Sequence, residues 1–205
     1  MIKEIKLILI GETGVGKTNL IRRAMGKDFD PDTASSLVNL YCQNEIIVDN
    51  IKYQYKLWDT AGQEKFRCLN KIFIKESKII IIVFAINNKN SFEQIDFWLN
   101  YAKEALEKDF YLFGLVANKS DLIEQQEIED KEIKAKANDL GIKFKLTSAL
   151  MEESGFKNFL DELLTDFIKK YYAKDIPQET SFTINKRKHI KKKKSFLQKL
   201  KDCFN

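Results

Sequence analysis

Cysteine and histidine are scarce in this chain. Its three cysteines, Cys42, Cys68 and Cys203, lie far apart. None has the paired spacing of a zinc site or a disulfide framework, so a reducing compartment is the expected setting. Cys42 and Cys68 have no neighbouring base and read as packing residues rather than nucleophiles. The single histidine, His189, sits among lysines without a second ligand nearby, which makes it a solvated side chain and not a metal site. Lys3, Glu4 and Lys6 interrupt the apolar N-terminus, which runs directly into a glycine loop. It is therefore not expected to act as a signal peptide or a membrane span. No internal repeat is evident.

What the chain does have is charge of uneven distribution. The last twenty residues carry a net +8, which leaves about −3 for the rest of a chain whose total is +5. A slightly acidic folded body with a basic tail follows. That asymmetry argues against a domain whose whole surface binds nucleic acid. At 205 residues and 44% hydrophobic, the chain is large enough for one domain with a real core.

Short β-branched runs at Ile5–Ile10, Ile46–Val48, Tyr53–Trp58, Ile79–Ile86, Leu112–Ala117 and Lys143–Leu146 alternate with stretches of helical period. This predicts an α/β fold in which helices cover a mostly parallel sheet. The run from Ile79 to Phe84 has no polar alternation, as expected of a central strand buried on both faces. Helices are predicted over Asn19–Met25, Ser91–Lys108, Glu127–Leu140 and Gly155–Tyr172. In the last, Phe156, Phe159, Leu160, Leu163, Leu164, Phe167 and Ile168 form one apolar stripe, read as core packing. Beyond Pro177 the pattern dissolves into polar residues, which divides the chain into a domain at 1–173 and a tail at 174–205.

Gly11-Glu12-Thr13-Gly14-Val15-Gly16-Lys17-Thr18 fits G-x-x-x-x-G-K-[ST] and lies between a predicted strand and a predicted helix, where that motif has to lie. Glycines let the backbone wrap phosphate oxygens, the loop amides form an anion nest, and the helix adds the positive end of its dipole. Lys17 is suited to neutralise β- and γ-phosphates and the Thr18 hydroxyl to ligate Mg²⁺. The loop alone does not separate ATP from GTP. Asp59-Thr60-Ala61-Gly62-Gln63-Glu64 follows a second apolar strand, which puts a carboxylate near the metal, the Gly62 amide near the γ-phosphate and Gln63 where an attacking water could be oriented. Asn118-Lys119-Ser120-Asp121 follows a third strand. The Asp121 carboxylate is a two-oxygen acceptor matched to the paired N–H donors of guanine, which adenine lacks. Leaving such an acceptor unpaired costs about 1–3 kcal/mol, so GTP is favoured. Thr147-Ser148-Ala149 ends the last strand and can offer backbone N–H to the guanine oxygen.

Four such motifs in this order, each at the end of a strand, resemble the small GTPases of the Ras superfamily, and the Rab family most, from about Ile5 to Tyr172. Trp58 before Asp-Thr-Ala-Gly-Gln-Glu, then Lys65-Phe66-Arg67, carries the Rab likeness, as do Asn90-Ser91-Phe92 and Trp98-Leu99. The resemblance implies a P-loop NTPase with a six-stranded, mostly parallel sheet and flanking helices. It implies a GTP/GDP switch, an enzyme hydrolysing GTP with Mg²⁺, with Lys17 and Gln63 as catalytic residues. The nucleotide would be held by Thr13, Gly14, Val15, Gly16, Lys17, Thr18, Asn19, Phe29, Ser36, Gly62, Asn118, Lys119, Asp121, Leu122, Ser148, Ala149 and Leu150. Thr18, Ser36 and Asp59 would hold the metal, and Phe29 would stack on guanine. Tyr41, Trp58 and Phe73 occupy the positions of the aromatic triad by which Rabs read out nucleotide state. Such a protein is expected to be a monomer acting through exchange factors, GTPase-activating proteins and effectors, in vesicle traffic on the cytosolic face of a membrane.

Several residues depart from that family. Ser36 stands where a threonine usually closes over the metal, Val38 where a glycine is usual, and Leu40 at an acidic partner-facing position. Ala85 replaces an aspartate, and Phe73-Ile74-Lys75-Glu76-Ser77 replaces Tyr-Tyr-Arg-Gly-Ala. A serine can ligate the metal but lacks the methyl that restricts χ1. The altered loop leaves a poorly hydrolysing, nucleotide-loaded adaptor as the alternative. Thr13 adds bulk where Ras has glycine, which predicts slow intrinsic hydrolysis, and no arginine is placed as a finger in cis.

In the tail, Lys186–Lys194 is a basic run, and Phe196, Leu197, Leu200 and Phe204 recur at helical spacing. A short cationic amphipathic helix on an anionic membrane is one reading. A solvated tail or a nuclear or nucleic-acid address is another. Cys203, third from the end, matches neither the four-residue prenylation box nor a double-cysteine ending, and is a candidate for prenylation or S-acylation.

Overall fold

The computed structural model describes residues 4–32, 41–60, 71, 73–106, 110–151 and 155–172. Ser36, Gly62, Gln63, Cys68, His189 and Cys203, and with them residues 33–40, 61–70 and the tail, lie outside the described residues.

Six strands form one sheet: β1 (Glu4–Ile10), β2 (Tyr41–Val48), β3 (Ile51–Trp58), β4 (Ile79–Ala85), β5 (Leu112–Asn118) and β6 (Lys143–Leu146), in the order β2-β3-β1-β4-β5-β6. β2 pairs antiparallel with β3; every other pairing is parallel. Among the described residues the α-helices with defined bounds are α1 (Lys17–Ala24), α2 (Lys89–Glu93), α3 (Ile95–Ala105), α4 (Asp130–Leu140) and α5 (Gly155–Tyr171).

Alternation along the parallel strands divides the core between two faces. On one, Ile5, Leu7, Leu9, Ile79, Ile81 and Val83 join Leu20 and Ile21 of α1 and Phe156, Phe159, Leu160 and Leu163 of α5. On the other, Ile8, Ile10, Ile80, Ile82 and Phe84 join Trp98 and Leu99 of α3 and Ile133 and Ala137 of α4. Every residue of β4 is buried, as its unbroken apolar run predicts. No helix among the described residues is long and apolar enough to cross a membrane.

The element boundaries depart from expectation where local hydrogen bonding outweighs periodicity. β2 begins five residues before Ile46, since an edge strand that buries only Cys42 and Val48 can be polar for most of its length. It reaches β3 through Asp49 and Asn50, both at positive φ (50° and 62°), as a two-residue I′ hairpin requires. The predicted helix over Ser91–Lys108 is two helices separated at Gln94, and the second ends at Ala105 because Leu106 is extended. α2 starts at Lys89 because the Asn88 side chain caps it, accepting from Ser91 N at 2.9 Å. α4 starts three residues later than predicted. Glu127 is held outside it, donating its N–H to Ile86 O at 2.9 Å, while Glu129 and Glu132 form a capping box.

Candidate nucleotide-binding site

Because β1, β3, β4, β5 and β6 run parallel, their C-terminal ends share one edge of the sheet. The glycine loop, Asp59 and Thr147 follow three of those ends, and Asn118 is the last residue of β5. β1 has β3 on one side and β4 on the other, and the chain crosses over it between those two strands, the kind of switch point beside which α/β sheets hold ligands.

The phosphate side is a matter of backbone. Gly11 has φ 142°, and a Cβ there would lie 2.1 Å from Val83 O, so only glycine lets the loop pass this close to β4. Gly16 is the N-cap of α1 in the left-handed region, and no side chain caps that helix. Its first turn includes Lys17 and Thr18, two residues earlier than predicted, with Lys17 reaching back to the loop carbonyls and Thr18 toward Asp59. Thr13 and Gly14 are exposed at the crest, and Val15 is buried beneath. The Lys17 ammonium donates to Gly11 O at 2.9 Å and Glu12 O at 2.7 Å. Two of its three protons are thereby engaged by main-chain carbonyls. Burial lowers the Lys17 pKa to about 8, against the opposing pull of the Asp59 and Glu12 carboxylates. The Trp98 indole of α3 donates to Glu12 Oε1 at 3.0 Å, tying the loop to the opposite face of the sheet.

Beside Lys17, Thr18 Oγ1 donates to Asp59 Oδ2 at 2.7 Å, and Asp59 is buried. Thr60 donates to Leu9 O at 2.6 Å and locks the end of β3 onto β1. A hydroxyl and a carboxylate in contact are hard oxygen donors, and Mg²⁺ characteristically takes one or two such protein groups together with phosphate and water oxygens. The residues present fit that ion.

The base side is held by side chains. Asn118, at the end of β5 and 1% exposed, donates to Val15 O at 2.8 Å, while its Oδ1 accepts from Thr147 Oγ1 at 3.2 Å and Ala149 N at 3.3 Å. It therefore joins the two loops. Lys119 takes φ 65°, Leu122 N donates back to Lys119 O at 2.9 Å, and that turn presents Asp121. Ser148 donates to the Asp121 carboxylate and accepts from Met151 N at 3.0 Å. Asn19 and Asp30 exchange two 3.0 Å bonds, Asn19 Nδ2 to Asp30 O and Asp30 N to Asn19 Oδ1. That pair fixes the segment holding Phe29, which is half-buried against the core. Leu150 is exposed at the loop's outer end.

Tyr41, Trp58 and Phe73 make a continuous stack, with ring centroids 4.9 Å and 5.5 Å apart. The Lys6 ammonium lies 5.2 Å from the Trp58 ring and 5.7 Å from that of Phe73. Three contacts leave no mark in the sequence: Lys6 against these rings, the bond from Trp98 to Glu12, and Arg23, which reaches Ala149 and Leu150. Arg22 and Arg23 look like ordinary basic residues at a helix C-terminus, and no short-range pattern marks a contact 126 residues away.

Strand order, glycine loop and the two base-side loops define a small GTPase of the P-loop class. Residues 6–170 match the family model described as "Ras family". The chain is 36% identical over 161 residues to "Ras-related protein Rab-11C" of Dictyostelium discoideum, covering 78% of this chain and 71% of that one. It is 30% identical over 164 residues to "GTP-binding protein ypt3" of Schizosaccharomyces pombe, covering 80% and 76%. The chain belongs to the Ras family, and within it is Rab-like.

Proposed function

We propose that this protein is a Mg²⁺-dependent GTP/GDP switch with slow intrinsic hydrolysis, serving vesicle traffic on the cytosolic face of a membrane. The contact between the Thr18 hydroxyl and the Asp59 carboxylate, beside the buried Lys17, carries the reading. Thr18 and Asp59, with Ser36, would hold a magnesium ion, which when bound neutralises charge between the β- and γ-phosphates. The loop amides from Thr13 to Asn19 receive phosphate oxygens, and Lys17 offers its remaining proton to the bridge between them. Gln63 orients the attacking water, and the Gly62 amide faces the γ-phosphate. Asp121 takes the paired guanine donors while Asn118, Lys119, Leu122 and the Ser148–Leu150 loop wall the ring, and Phe29 stacks on it. The Rab likeness and the stacked Tyr41, Trp58 and Phe73 support readout by effectors. The basic run at Lys186–Lys194, the apolar residues from Phe196 to Phe204, and Cys203 as a lipid acceptor support membrane attachment.

Single-turnover hydrolysis of preloaded GTP, with and without Mg²⁺, tests the switch. Slow turnover that needs Mg²⁺ and falls further in Gln63→Leu is the expected result. Tight GTP retention with no turnover would replace the switch by a nucleotide-loaded adaptor, in keeping with Ser36, Val38 and Leu40. Liposome flotation tests the tail: binding should require anionic lipid and residues 174–205.

A further inference from the structure

We propose that Arg23 is a positioning residue for guanine recognition, acting through the 147–151 loop on the Asp121 carboxylate; the inference rests on the base-side reading above. Arg23 lies in the last turn of α1, a helix whose first turn holds Lys17 and Thr18. Its Nε donates to Ala149 O at 2.7 Å and its Nη2 to Leu150 O at 2.8 Å. Only 13% of the side chain is exposed, although Asp28 meets Nη1 at 3.5 Å. One planar guanidinium gripping two successive carbonyls fixes two successive peptide planes.

In a trans peptide the N–H points opposite to the C=O. Turning Leu150 O toward α1 therefore turns Met151 N–H away from it, and that N–H donates to Ser148 Oγ at 3.0 Å. The Ser148 hydroxyl, its oxygen so engaged, directs its proton to Asp121 Oδ1. Hydrogen bonds joined through the Leu150–Met151 peptide thus run from Arg23 by way of Ser148 to the carboxylate that reads the base. Ala149 N, donating to Asn118 Oδ1 at 3.3 Å, holds the loop from its other side.

This makes a prediction about selectivity that general destabilisation does not. Guanine offers Asp121 both its ring N–H and its exocyclic amine, whereas hypoxanthine lacks the amine. If Arg23 orients Asp121, its removal lowers affinity for GDP more than for inosine diphosphate. In Arg23→Met the dissociation rate of GDP should rise about tenfold and the preference for GDP over inosine diphosphate should shrink about threefold. Arg23→Lys should recover less than half of either effect, because an ammonium keeps the charge but not the fork. Arg22→Met is the neighbouring control, since Arg22 meets Asp28 O at 3.2 Å and Asp30 at 3.6 Å instead of the 149–150 carbonyls; it should leave the preference unchanged. Combining Arg23→Met with Ser148→Ala should add little to Ser148→Ala alone.

Should Arg23→Met fail to fold, Arg23→Lys decides by the same ratio. A full preference in the Arg23 variants, with only a lower Tm, overturns the inference. An unaltered protein that does not prefer GDP over inosine diphosphate overturns the base-side reading itself, whatever Arg23 does.

Discussion

On the phosphate side of the site the lysine of the glycine loop is held by main-chain carbonyls, while on the base side two pairs of side chains bridge neighbouring loops. Lys17 is held by the carbonyls of Gly11 and Glu12, and the conformations that matter belong to glycines. Asn118, Thr147, Ser148 and Asp121 hold one another across two loops from different strands. A main-chain cradle tolerates changes in its non-glycine side chains but not an added Cβ at its glycines. A side-chain network fails when any one member is shortened, because its partners are left buried without a bond.

Gly16 and Asn118 are where the two sides meet, and changes there should have the largest effects. A Cβ at Gly16 would lie 2.3 Å from Asn118 Nδ2, at φ 96°. Strain of about 1–3 kcal/mol adds to that overlap, so Gly16→Ala should lose at least ~100-fold in GDP affinity by calorimetry. Affinity within threefold of the unaltered protein would mean that the two sides are not rigidly joined. Asn118→Ala removes the bonds to Val15 O, Thr147 and Ala149 and leaves their groups buried. A drop in GDP affinity of ~30-fold, together with a lower Tm of the nucleotide-free protein, is expected. An unchanged Tm would confine Asn118 to the ligand and remove it as a tie between loops.

How much of this could be read in advance follows the same division. A main-chain cradle needs particular residue types at fixed spacing, so Gly11–Thr18 was readable as a phosphate loop, and the run Ile79–Phe84 as a central strand. Asn118 and Asp121 were readable as a motif, but not that Asn118 reaches Val15, since that bond spans 103 residues. Most of β2 was missed because an edge strand with two buried residues lacks the apolar signal, although Asp49-Asn50 carried the chemistry of its turn. The late start of α4 goes with the bond from Glu127 N–H to Ile86 O, a contact across the chain that periodicity does not register.

Titration separates the two sides by one group. Burial holds the Lys17 pKa at about 8, below its usual 10.5. A bound polyphosphate favours the ammonium and raises that value again, so above pH 8 binding takes up a proton. GDP affinity should be flat below pH 8 and fall above it, approaching tenfold per pH unit at the limit. Calorimetry at pH 9 in buffers of different ionisation enthalpy should register the proton, and its absence would place Lys17 in its charged form throughout. In the nucleotide-free protein the sign is reversed. The unfolded chain binds the extra proton between pH 8 and 10.5, so Lys17 costs stability below that window, and its contribution to stability rises with pH through it.

The smallest effect is expected farthest from the ligand, at Trp98. Its indole N–H meets the Glu12 carboxylate at 3.0 Å, from a ring buried among the α3 residues on the opposite face of the sheet. Trp98→Phe keeps most of that ring and removes the donor. Because Glu12 is only half-buried, water can take over part of the bond. GDP dissociation should therefore speed up only about two- to fivefold. The same change in a Glu12→Ala background should have no further effect on dissociation, though it still lowers Tm through lost packing. Equal effects in both backgrounds would mean that Trp98 supports the loop by volume alone, and that the cradle does not depend on a side-chain tie of the kind the base side is made from.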